Sequence, residues 1–167
     1  MSNQLIDKIV DECHRIEEDA LYSSKSHYNV SSRWEKFNLI LGVPLSVLAA
    51  VTGIAALKNL PNATIIISFI LTILTALNTA LNPSKKGSLH KSAAGDYNIL
   101  KNEVRVFREI DLHDTVLTEK DLRSKLKVYS DRRNQLNHSS PNIPQWAYKK
   151  TQQDIKNNFA IYQIDKE

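Results

Sequence analysis

Five histidines (His14, His27, His90, His113 and His138) and one cysteine, Cys13, are the side chains of this chain best suited to ligate a metal or attack a substrate. Their spacing supports neither role. A zinc site needs three or four converging ligands. His14 has only Glu18 four residues on, and His113 only Glu109 four residues before it. Such pairs read as surface contacts along a helix. His27 adjoins Tyr28 and is expected near a membrane surface, while a structural hydrogen bond is the expected role of His90. Cys13 falls in an apolar register and reads as a buried thiol. The chain has four glycines and no phosphate-cradling loop, no Gly-x-Ser-x-Gly, no His-Glu-x-x-His and no paired-cysteine motif. Neither an enzyme nor a cofactor is expected.

The remaining chemistry-bearing pattern is a stripe of hydroxyls. Ser68, Thr72, Thr75, Thr79 and Asn82 recur at helical spacing, with Asn78 beside them. Such a stripe either glues helices together or lines an aqueous path. A second stripe, Gly42, Ser46, Ala49, Gly53 and Ala56, is made of small residues, as close helix packing in lipid requires.

Both stripes lie on segments that could cross a bilayer. Residues 37–57 and 63–82 are almost free of charge, and a span of roughly 20 residues matches the ~30 Å hydrocarbon core. The loop between them, Lys58-Asn-Leu-Pro-Asn62, leaves room only for a turn, so the helices are expected to be antiparallel. Arg33 and Lys36 precede the first span and Lys85, Lys86 and Lys91 follow the second, whereas the tip carries Lys58 alone. The positive-inside rule then puts both termini in the cytoplasm. Lys85, Lys86 and Lys91 suit anionic headgroups. Trp34 suits the interface, and Ser32-Arg-Trp-Glu35 has the capping-box pattern that would start the first span afresh. Pro44 could bend that span, or be accommodated near its start at little cost. No secretory leader is expected, because the residues up to Lys36 are polar and partly acidic.

Outside the spans the apolar positions are helical. Leu5, Ile6, Ile9, Cys13, Ile16, Ala20 and Leu21 mark an amphipathic helix within residues 1–31. Leu89, Ala93, Tyr97, Leu100, Val104 and Phe107 mark a long helix over residues 84–110. A break at 111–114 precedes a helix over 118–138, with Thr118 as its cap. The prolines at 141 and 144 make a loop before a last helix over 144–160. The fold class expected is therefore an all-α membrane protein, a transmembrane hairpin with cytoplasmic amphipathic helices, in one domain over 1–167. Arg132 and Arg133 read as a solvated helix face. Direct nucleic-acid binding is not expected; a nucleotide held between cytoplasmic helices by Arg105, Arg108, Arg132 or Arg133 is a third reading, one with no phosphate-binding motif behind it.

Three stretches together resemble the SLATT family of bacterial two-helix membrane effectors. The first is the small-residue span from Gly42 to Ala56. The second runs from Leu81 to Leu100, where Pro83, His90, Ala94, Tyr97 and Leu100 match the family's Pro…His…Ala…Tyr…Leu order. The third is Pro141-Asn-Ile-Pro144 through Tyr148. Gly87 stands where the family often has Ala. The resemblance covers nearly the whole chain. It implies an oligomeric inner-membrane effector that forms pores or disrupts the membrane in antiphage defence. A partner protein that makes or senses a nucleotide signal would be the trigger. The alternative is a membrane-anchored helical scaffold without a pore.

Overall fold

The computed structural model describes residues 3–114 and 116–157. They form helix α1 (Asn3–Leu57), α2 (Pro61–Leu81), α3 (Pro83–Glu109), a 3-10 turn (Asp111–His113), α4 (Glu119–Ser139) and α5 (Gln145–Lys156). Among the described residues there is no strand. Residues 158–160, expected in the last helix, lie outside the described residues. The chain divides into two compact units, 31–88 and the remainder.

Helix boundaries follow local chemistry. Asn59 takes a left-handed conformation (φ 53°) at the tight turn, and Pro61 opens α2, where its missing N–H costs nothing. Asn82 (φ 42°) closes α2 in the left-handed region that Asn tolerates. Its backbone N–H donates to the carbonyl of Asn78, and its Oδ1 accepts the Lys85 N–H at 3.2 Å. The same residue therefore ends α2 and caps α3. Thr118 and Asp121 exchange hydrogen bonds in a full capping box at the start of α4.

Two expectations need correction. The N-terminal helix and the first span are one 55-residue helix. The Ser32–Glu35 box starts nothing: no proline or glycine precedes it from Leu5 on, so propagation continues through it. Ser31 and Glu35 instead bond within the helix at 3.4 Å. Pro44 likewise lies well inside α1, not near a helix start.

In the unit that excludes 31–88, the core is a heptad-like seam. Ile9, Cys13, Ile16 and Ala20 of α1 meet Tyr97, Leu100, Val104 and Phe107 of α3, with Leu112 and Leu122 closing one end. Each set repeats at spacings of three and four, so one face of each helix is apolar. Phe107 is fully buried and its ring lies 5.4 Å from that of Tyr129. Burial pushes the Cys13 thiol up to about 12, helped by the charge of Glu17.

Candidate functional site: a two-faced hairpin and a buried histidine pair

Within the unit 31–88, α1 and α2 turn back on each other through Lys58–Leu60. Their longest apolar windows are only 6% and 0% buried, far from the pattern of a helix inside a soluble core. By length and composition both helices could span a membrane.

Partial burial identifies the seam between them. On α1 the residues Leu41, Leu45, Leu48, Thr52 and Ala55 are covered, and on α2 Ile67, Leu71, Leu74, Asn78 and Leu81. Both sets step by four, three, four and three, as in knobs-into-holes packing. Each predicted stripe sits one residue beyond this seam. Gly42, Ser46, Ala49, Gly53 and Ala56 follow the α1 seam residues, and Ser68, Thr72, Thr75, Thr79 and Asn82 follow those of α2.

One residue is 100° around a helix. Because the helices are antiparallel, that rotation carries both stripes to the same side of the hairpin. The residues one position before the seam reach the opposite side, and apart from Pro44 and Ala80 these are bulky aliphatics: Ile40, Val47, Val51 and Ile54 on α1, Ile66, Ile70, Ile73 and Leu77 on α2, all exposed. The hairpin thus has a small-and-hydroxyl face and an aliphatic face.

Most of the first face is uncovered. Ser46, Ala49, Gly53 and Ala56 are exposed, as are Thr72, Thr75 and Thr79, while Gly42 and Ser68 are half-buried. A methyl group built on Gly42 or Gly53 would meet nothing within 4 Å. Thr72 and Thr75 donate back to the carbonyls of Ser68 and Leu71, both at 2.8 Å, and Ser46 to that of Gly42 at 3.0 Å. Asn78 is in the seam, and its buried Oδ1 has no hydrogen-bond partner.

The other unit holds a buried polar cluster. Nδ1 of His27 lies 2.8 Å from Nδ1 of His90. Both rings are buried, whereas Tyr28, one residue on from His27, is exposed. Tyr97 stacks on His27 at 5.7 Å and donates its hydroxyl to Asn137 at 2.8 Å. Ser24 donates to the Ala94 carbonyl at 2.8 Å. Ser26 and Asn29 both reach Thr151 of α5, at 3.0 and 3.1 Å. Burial, with the nearby His90, pushes His27 down to about 4, and burial lowers His90 too. Both rings are therefore neutral near pH 7, so one donates its N–H and the other accepts. Sequence reasoning missed this pairing, since the partners are 63 positions apart on different helices.

His90, Ala94, Tyr97 and Leu100 all face the α1 side of their unit and are buried. Pro83 is buried at the start of α3, Pro141 is half-buried in the loop, and Pro144 caps α5. Tyr148 is exposed, its ring 5.8 Å from Tyr22. Three of the arginines that could have faced a phosphate are engaged by carboxylates: Arg108 by Glu17 and Glu109, Arg132 by Glu103, Arg133 by Glu12 and Asp19. Among the described residues no three His, Cys, Asp or Glu side chains converge to hold a metal.

No family model, no curated protein and no solved structure matches this chain.

Proposed function

We propose that this chain is an oligomeric effector of the bacterial inner membrane, with both termini cytoplasmic, whose hairpins assemble through the small-and-hydroxyl face. The observation that carries this reading is the division of the hairpin into two unlike faces. Lipid tails are as apolar as leucine, so burial alone does not select a partner face. Small side chains do, because they let backbones approach, and hydroxyls gain by leaving hydrocarbon. The aliphatic face suits lipid. Two helices enclose no path, so several copies are needed for a pore. The resemblance to the SLATT family supplies the biological setting: an antiphage response triggered by a partner's signal and ending in loss of the membrane barrier.

A second reading is favoured by a specific observation. Thr72 and Thr75 already bond their own helix, so they need no water, and the face could serve packing alone in a membrane-anchored scaffold. One experiment addresses both. Cells expressing the chain together with its signalling partner during phage challenge, and vesicles carrying the purified protein with its trigger, are tested for loss of membrane potential and for dye leakage. The effector reading predicts both, with leakage reduced when Ser68, Thr72, Thr75 and Thr79 are replaced by Ala or Val. Intact barriers in cells and vesicles alike would overturn it. Barrier loss that ignores those four substitutions would remove the hydroxyls from the path.

A further inference from the structure

The base of the hairpin, where both apolar spans end, is the most strongly charged part of its unit. Arg33 and Lys36 come from α1, and Lys85 and Lys86 from the first turn of α3. Glu35 is the single acidic residue of 31–88, and the far end carries only Lys58. All four basic residues are exposed, and Trp34 holds one of them, Lys86.

The Trp34 ring is half-buried and lies edge-to-face with Phe37 at 6.0 Å, the first residue of the apolar span. The ammonium of Lys86 stands 4.7 Å over the ring centre, within the range of a cation–π contact. Next to it is Gly87, where an added Cβ would lie 3.4 Å from Trp34 Cβ and 3.6 Å from Glu35 Cγ. The start of α3 therefore runs close against α1 at Trp34. This approach brings the first turn of α3, with Lys85 and Lys86, to the stretch of α1 that carries Arg33 and Lys36.

We infer that this base is a headgroup clamp for anionic phospholipid, with Lys85 and Lys86 on the phosphodiester and Trp34 at the acyl–headgroup boundary. The inference rests on the membrane reading above. The ligand is a lipid rather than free phosphate because the cations adjoin the residues that would meet acyl chains, Phe37 on one span and Leu81 on the other. A free anion at exposed lysines would be screened by salt, whereas a leaflet presents the same charge at high local density. Each lysine near an anionic surface contributes about a fivefold gain in partition. The π face of the Trp34 ring is covered by the Lys86 ammonium, so that cation is positioned before lipid arrives.

The test uses the full chain in detergent micelles doped with phosphatidylglycerol and phosphatidylcholine, with retained lipids counted by native mass spectrometry. The wild type is expected to retain phosphatidylglycerol in preference. The Lys85→Gln/Lys86→Gln variant is expected to lose that preference about tenfold or more, with unchanged helical circular dichroism. Lys58→Gln, at the other end, should keep it. An excess of glycerol phosphate or inorganic phosphate should not displace the lipid. Equal retention of both lipids by the wild type, an unchanged preference in the double variant, or displacement by free phosphate would each overturn the clamp. Vesicle flotation separates the two readings. A chain that floats with neutral vesicles but shows no phosphatidylglycerol preference sinks the clamp alone. One that floats with no vesicle sinks the membrane reading and the clamp with it.

Discussion

The Nδ1 atoms of His27 and His90 are 2.8 Å apart inside a buried cluster of hydroxyls and aromatic rings. Such a contact requires one of the two Nδ1 atoms to be bare, so the pair is lost if both rings are protonated. The rings sit 5.0 Å apart between α1 and α3, and the bond thus joins the two helices that build the core of their unit.

This geometry sets a pH dependence. His27 in the folded chain is pushed from 6.5 down to about 4. Above pH 6.5 neither folded nor unfolded chain gains by protonation. As pH falls from 6.5 toward 4, the unfolded chain takes up a proton that the native site refuses, and stability falls. The slope is up to about 1.4 kcal/mol per pH unit for each ring, and it levels off below the folded value. Denaturation of the purified protein in micelles across this window should show the loss. His27→Gln, which cannot charge, should have a shallower slope than the wild type. An equal slope would remove the pair as its cause.

Arg108 and Glu17 predict a different kind of sensitivity. The Nε and Nη2 groups of Arg108 reach both carboxylate oxygens of Glu17, at 2.7 and 3.2 Å, with both side chains more than four-fifths covered. Lysine lacks this fork. Arg108→Lys is expected to cost about 1 kcal/mol, and Arg108→Ala about 2–3 kcal/mol because Glu17 loses its partner. In a double-mutant cycle with Glu17→Gln, the combined loss should be smaller than the two single losses added. Full additivity would show that the pair does not act as a unit.

Asn78 should behave in the opposite sense. Its Oδ1 is covered in the hairpin seam without a partner, between Leu74 and Leu81 on the same ridge. An unmet amide in a dry seam is a cost of ~1–3 kcal/mol. Asn78→Leu restores the leucine pattern and is expected to raise the thermal midpoint of the protein in micelles. A lower midpoint would mean that the amide finds a partner in the assembled state that the single chain does not show.

Much of this fold is readable from local chemistry. Pro61, Pro83, the Thr118–Asp121 box and the prolines at 141 and 144 each stand at a helix boundary for a steric or hydrogen-bonding reason that acts within a few residues. What local chemistry could not decide was continuity. Ser32 to Glu35 has the right residues for a helix start, yet a cap matters only where a helix would otherwise be broken, and nothing breaks α1 there. Asn82 looked like the last member of the hydroxyl stripe, whereas its side chain caps α3. The seam was hidden for another reason. In a span where nearly every residue is apolar, the leucines at 41, 45 and 48 do not stand out, and only their coverage by α2 sets them apart. The small and hydroxyl stripes were legible because polar or tiny residues are conspicuous against that background. That they share one side of the hairpin follows from the antiparallel turn.

The most direct test of the account is disulfide cross-linking in native membranes. Cys13 is buried and its thiol is pushed up to about 12, and Cys13→Ala leaves no other cysteine. Single cysteines are then placed on one face, as Ala49→Cys or Thr75→Cys, or on the other, as Val47→Cys or Ile73→Cys. The account predicts that a mild oxidant joins copies through positions 49 and 75 and leaves 47 and 73 as monomers. Cross-linking through 47 and 73 instead, or none from either face, would contradict the claim that these hairpins assemble through their small-and-hydroxyl side.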